Sequence, residues 1–234
     1  MCVAFPSTRW FSRHAVSLHA PMRGVARYDP RTTTPLDDAN RFDLARETKQ
    51  ALAYAEIASA LVPHDQRQRL LAKRRTEHWR DTRLLGSAMR DTTHTFVRLA
   101  GFGYEGLDPV TLEPRFSTPA GQPVTFDALP TRVRHLAAFS ALTVRALWVA
   151  YPTEDPRTAQ GVVVIDDVEL RQESDVLSAL IPTLQRCLPR VQWILSTAAV
   201  ELAATRSPDE VVALRRFPDD ERVELFVGSQ AQTH

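Results

Sequence analysis

Apolar and polar positions follow a helical period in the first half of the chain and cluster in short strand-like runs in the second. From about Asn40, Leu44, Leu52, Ala55, Ala58 and Leu61 recur at helical spacing, which predicts a helix ending at Pro63, where the missing N–H interrupts the ladder. Asp65 can cap a second helix. Leu71, His78 and Leu85, with Thr82, Met89 and Phe96 beside them, keep one face for about eight turns. Residues 12–40 hold three prolines, Gly24 and three consecutive threonines but no period, so an extended, partly mobile connection is expected there.

Past Gly101, Gly103 and Gly106 the pattern changes to strands and turns. Arg115–Thr118 and Val124–Phe126, around Pro119–Gln122, predict a β-hairpin that leads into a helix over Leu136–Tyr151. Four apolar β-formers, Val162–Ile165, then run without alternation, as in a strand covered on both faces of a parallel sheet, and stop at Asp166 and Asp167. A helix and a second buried strand, Val191–Leu195, follow, so a right-handed crossover is expected. Val211–Leu214 and Val223–Val227, separated by a turn around Pro218–Asp220, predict another hairpin at the edge of that sheet. The expected organisation is a strand and extended segment over 1–40, a helical arm over 41–100, an α/β lobe over 101–228 and a disordered tail over 229–234.

Two acids at the carboxyl end of a parallel strand stand where open α/β sheets bind ligands, and an aspartate there commonly holds magnesium beside a phosphate. Composition adds limits to this picture. A chain of 234 residues with 44% apolar and 24% charged residues can bury a sizeable core, and 29 basic against 28 acidic residues give no global attraction to nucleic acid. The local basic run Lys73, Arg74, Arg75, Arg80, Arg83 and Arg90 could track a phosphate backbone, but Glu77, Asp81 and Asp91 interleave with it as on a solvated helix face. There is no run of eighteen apolar residues and no signal-peptide core, so a cytoplasmic protein without membrane segments is expected. Cys2 and Cys187 cannot make a disulfide framework.

The order of motifs resembles the C-terminal half of an ABC-type ATPase of the AAA/OLD/RecF-like P-loop group, over roughly residues 70–225. Ile165-Asp166-Asp167 resembles the Walker B strand end, Glu169–Glu173 the acidic loop after it, and Leu188–Ile194 the following Pro-x-x-Gln strand. Ser196-Thr197-Ala198-Ala199 stands where the family has Thr-His-Ser, and Phe126–His135 where it has its signature before a long helix. The resemblance implies an incomplete P-loop NTPase sheet flanked by helices, with an inserted helical arm. It further implies ATP and Mg²⁺ as cofactors, Asp166 as metal ligand, Asp167 as general base, and Thr131 and Arg132 at the nucleotide-facing signature.

The departures fall on the same positions. Asp167 is one methylene shorter than the family's glutamate, where about 1 Å of misplacement is costly. Arg132 replaces the signature glycine, Pro130 and Thr131 replace its serines, and Ala198 replaces the switch histidine. No GxxxxGK[ST] occurs in the chain, so no phosphate-cradling loop is present in it. Met1–Phe11 resembles the strand and following arginine that come after the Walker A helix, which suggests a chain starting downstream of that loop. Two readings follow: a degenerate ATP-binding ATPase half that works with a homodimeric or other protein partner, or a pseudo-ATPase serving as an interaction module. Hydrolysis by this chain alone is not expected under either.

Overall fold

The computed structural model of the chain describes residues 1–7, 9–13, 15, 16, 18, 43–72 (backbone only from 62), 82–217 and 222–232. In chain order these build β1 (Cys2–Phe5), α1 (Leu44–Ala72), α2 (Thr82–Arg98), β2 (Gly103–Leu107), β3 (Pro114–Ser117), β4 (Pro123–Thr125) and α3 (Thr131–Ala150). They continue with β5 (Gly161–Ile165), α4 (Ser174–Cys187), β6 (Val191–Leu195), the single-turn α5 (Val200–Ala204), β7 (Val212–Arg216) and β8 (Val223–Val227).

The core centres on α3, every residue of which from His135 to Val149 is buried. A helix apolar on all sides must lie inside the molecule. On one side it meets Leu44, Ala51, Leu52 and Ala55 of α1 and Leu85, Met89, Phe96 and Val97 of α2; on another it meets Val3 and Phe5 of β1, and Phe5 sets its ring edge-on to Phe139 at 5.0 Å. The described parts of α1 and α2 are thus walls of the core. They cross closely where Gly86 faces Ser59: a Cβ on Gly86 would lie 2.5 Å from that of Ser59. Buried charge ties the same layers, with Lys49 paired to Asp127 (2.8 Å) and Glu113 (3.0 Å), and Arg145 of α3 paired to Glu47 (2.6 Å).

Against expectation, α1 does not stop at Pro63 but runs on to Ala72. A proline removes one helical hydrogen bond at a cost of about 3 kcal/mol, and the tight packing of the helix's first three turns offsets that. Of the expected long second helix, the described part is Thr82–Arg98; His78 and the basic run from Lys73 to Arg80 lie outside the described residues.

The strands form three sheets. β1, β5 and β6 are parallel in the order β1-β5-β6, so the acid-bearing strand is central. The helix α4 connects β5 to β6, as the crossover pattern requires. Burial on β5 alternates, with Val163 and Ile165 turned into the core and Val162 and Val164 half-buried. Uniform apolarity along this strand therefore did not translate into cover on both faces. β2, β3 and β4 form an antiparallel sheet; the expected hairpin is β3–β4, and β2 joins it from the glycine-rich stretch. Gly106, at φ +93°, takes the left-handed conformation beside the register shift in β2.

The C-terminal hairpin forms, but as a separate two-stranded sheet and not at the edge of the parallel one. The expected turn around Pro218–Asp220 lies outside the described residues. Gly228–Gln232 make a 3-10 turn in which Ala231 is buried; all of it but Gly228 falls in the stretch expected as a disordered tail.

Candidate functional site

Asp166 and Asp167 leave the carboxyl end of β5, and the end of β6 is laced to them. Ser196 N–H donates to the Ile165 carbonyl (3.0 Å), and Val168 N–H donates to the Ser196 carbonyl (3.0 Å). The Ser196 hydroxyl donates to Asp166 Oδ1 at 2.5 Å while accepting from the Asp167 N–H at 2.8 Å. Farther out, Glu169 Oε1 accepts from the Ala198 N–H at 2.8 Å. These bonds fix Asp167 at φ +46°, a left-handed conformation that aspartate tolerates better than most residues.

A third segment closes the tip. Asp166 N–H donates to the Phe5 carbonyl at the end of β1. Four residues on, Arg9 places Nη1 2.6 Å from the Asp166 carbonyl and Nη2 2.8 Å from the Asp167 carbonyl. The same guanidinium sits 5.3 Å from the centroid of the Phe139 ring on α3. Hydrogen bonds from Ser196 and Ser7 hold the Asp166 carboxyl below the usual carboxylate range, with Arg9 adding to the shift. Asp166 is therefore ionised near neutral pH. Burial pushes the Glu169 carboxyl up, but its bonds to Ala198 and Thr197 outweigh this and leave it shifted down.

The head of α3 lies against the loop that follows the acids, but its side chains are turned to the protein. Gln172 Nε2 donates to the Arg132 carbonyl (3.3 Å), and the Arg132 guanidinium pairs with Glu173. Thr131 Oγ1 accepts from Arg134 Nη2 at 3.2 Å. Asp166 and Asp167, neighbours in the chain, share the strand tip, whereas Thr131 and Arg132 form their own contacts at the start of α3. One turn in, His135 is buried between aromatic rings, 5.0 Å from Phe11 and stacked 6.0 Å from Phe139. Burial pushes its pKa down to about 3, helped by Arg9, Arg171 and Arg134.

Magnesium fits this tip only in part. Among the described residues no group of three or more His, Cys, Asp or Glu side chains could hold a metal ion. Asp166 supplies one ionised carboxylate, and Mg²⁺ is commonly bound by one or two carboxylates together with phosphate oxygens and water. The described residues alone do not complete such a set.

Arg9 and Ser196 are the residues whose roles the sequence pattern left unassigned. Ser196 was legible as the end of β6, and Arg9 as an arginine soon after a short apolar run, but neither pattern states which atoms they bind. Of the basic residues considered for nucleic acid, Arg90 pairs with Glu56 at 2.5 Å and Arg83 also has a partner.

No protein-family model and no curated protein matches the sequence. Among solved structures the chain is similar to SMC ATPase heads. One, from work on ATP-driven dimerization and DNA-stimulated activation of SMC ATPases, is 12% identical with a TM-score of 0.47 over 64% of this chain and 89% of that one. The SMC head domain of Thermotoga maritima is 16% identical, with a TM-score of 0.41 over 62% of this chain and 49% of that chain. The Smc head of Pyrococcus furiosus, bound to the C-terminal domain of ScpA, is 12% identical with a TM-score of 0.43, and the match spans 60% of this chain and 35% of that chain. These TM-scores all lie below 0.5.

Proposed function

We propose that this chain is a degenerate ABC-type ATPase-like lobe that contributes an acidic strand tip to an ATP site completed by a partner. The observation that carries this reading is the ionised Asp166 at the carboxyl end of the central parallel strand, laced through Ser196 to the end of the next strand. That is where an α/β sheet meets a phosphate-bound cation. The missing phosphate contacts have to come from another chain or segment, because no GxxxxGK[ST] occurs in this sequence. Mg²⁺, when present with nucleotide, would neutralise phosphate charge; Asp166 would be its protein ligand. Asp167 would stand beside it as a weak base, its backbone fixed by Arg9 and Ser196.

A second reading has its own support: Arg132 is paired to Glu173 at the signature position and Ala198 stands where a switch histidine would, as in a pseudo-ATPase kept as an interaction module. Titration of the purified chain with Mg-ATP, followed by calorimetry, separates the two. Weak binding that needs Mg²⁺ and is lost in Asp166→Ala is the expected result, without turnover above background. No binding at millimolar nucleotide would overturn the ATP-site reading and leave the interaction module.

A further inference from the structure

Arg9 has an unusual position for a cation beside carboxylates, because its fork is spent on main-chain oxygens. Two successive carbonyls, those of Asp166 and Asp167, accept from Nη1 and Nη2 at 2.6 and 2.8 Å. Both oxygens belong to the residues whose side chains carry the negative charge. The guanidinium is half-buried, and Phe139 backs it from the core helix. Burial pulls its pKa below the ordinary value, while Asp167, Asp166 and Glu169 all act to keep it charged. An arginine remains protonated under such opposing influences.

We propose that Arg9 is the resident counter-ion of the Asp166–Asp167 tip, supplying the positive charge that a divalent cation would otherwise supply. Three consequences of the geometry support this. The fork binds two consecutive peptide groups, so it fixes the left-handed turn at Asp167 as well as balancing charge. Ser7, two residues before it, also bonds Asp166, and the Phe5 carbonyl accepts from the Asp166 N–H, so Phe5, Ser7 and Arg9 all meet the tip. A dication approaching these carboxylates meets a positive charge fixed beside them, well within a Debye length. The free chain therefore holds the backbone of this tip in place without needing a metal, and withdrawing Arg9 opens the tip to one. This role does not depend on nucleotide.

The test uses Mn²⁺ as the probe, with no nucleotide present, so its outcome is independent of the Mg-ATP titration. Free Mn²⁺ is followed by its electron paramagnetic resonance signal, and thermal melting is recorded with Mn²⁺ or with EDTA, for wild type, Arg9→Ala, Arg9→Lys and Arg9→Ala/Asp166→Ala. Wild type is expected to melt at the same temperature in both solutions. Arg9→Ala is expected to melt lower in EDTA, to recover part of the loss in Mn²⁺, and to bind the ion about tenfold or more tightly than wild type. The double variant loses that response, and Arg9→Lys, which keeps charge but not the fork, stays indifferent to metal while melting lower than wild type. Equal Mn²⁺ binding by wild type and Arg9→Ala, or a folded Arg9→Ala that binds none, overturns the proposal. Should Arg9→Ala fail to fold, Arg9→Gln, uncharged but still able to donate to one carbonyl, carries the same comparison.

Discussion

His135 shows how far one side chain's meaning depends on its neighbours. In the sequence it is a histidine near the start of a helix; in the structure it is an apolar-packed ring between Phe11 and Phe139, 1% exposed. Its folded pKa of about 3 lies below the ordinary 6.5, so the unfolded chain binds its proton first as pH falls. Stability from this residue is fully present above pH 6.5 and is lost as pH drops toward 3. Between pH 6.5 and 4.5, before the depressed carboxylates titrate, denaturant unfolding should lose stability at up to about 1.4 kcal/mol per pH unit. His135→Phe should flatten that slope; a slope unchanged in the variant would assign the effect elsewhere. The acids were legible because strand and carboxylate are adjacent in sequence. The groups that hold them, Arg9, Ser7 and Ser196, come from other segments, and no local pattern connects them.

At the scale of elements, periodicity found what is amphipathic and blurred what is buried all round. Leu85, Met89 and Phe96 lie on the buried face of α2 as their spacing implies. On α1 the expected face extends to Leu61, yet Leu61 is 59% exposed while Lys49 is fully buried. The lysine's partners, Asp127 and Glu113, belong to distant loops, so its burial could not be read from α1 alone. Lys49→Ala would leave these carboxylates uncompensated in a half-buried setting and should cost about 3 kcal/mol in denaturant unfolding. Gly86 gives a sharper test of the α1–α2 crossing. Glycine to alanine inside a helix usually stabilises by about 1 kcal/mol, but here the new Cβ would meet the Ser59 Cβ and hydroxyl at 2.5 and 2.6 Å. Gly86→Ala should therefore destabilise by about 1–3 kcal/mol, with Ser59→Gly in the same chain recovering most of it. A stabilised Gly86→Ala would mean the helices do not cross there.

For the whole molecule, surface left apolar matters as much as the core. Across the β7–β8 ladder Val212 pairs with Val227 and Leu214 with Leu225, and these four with Val223 share one face, each more than half exposed. Contiguous apolar surface of this kind marks association. A homodimer or complex with a partner is expected, and Leu214→Glu/Leu225→Glu should shift the purified chain to monomer in light scattering without lowering its melting temperature. A wild type that is already monomeric at high concentration would remove this face as the contact. Among the described residues no helix is long and apolar enough to cross a membrane.

The acidic tip is woven from segments near residues 5–9, 165–169 and 196–198, and the Arg9 contact to the Asp166 carbonyl spans 157 positions. Loop closure of that length has to precede any gain from the contact, which puts the tip among the slow, non-local steps of folding. On the ribosome the order is stricter still. The arginine is made 157 residues before Asp166, and the serine that laces the acids is later again. A nascent chain interrupted between Asp167 and Ser196 carries both acids and their counter-ion but none of the lacing from β6.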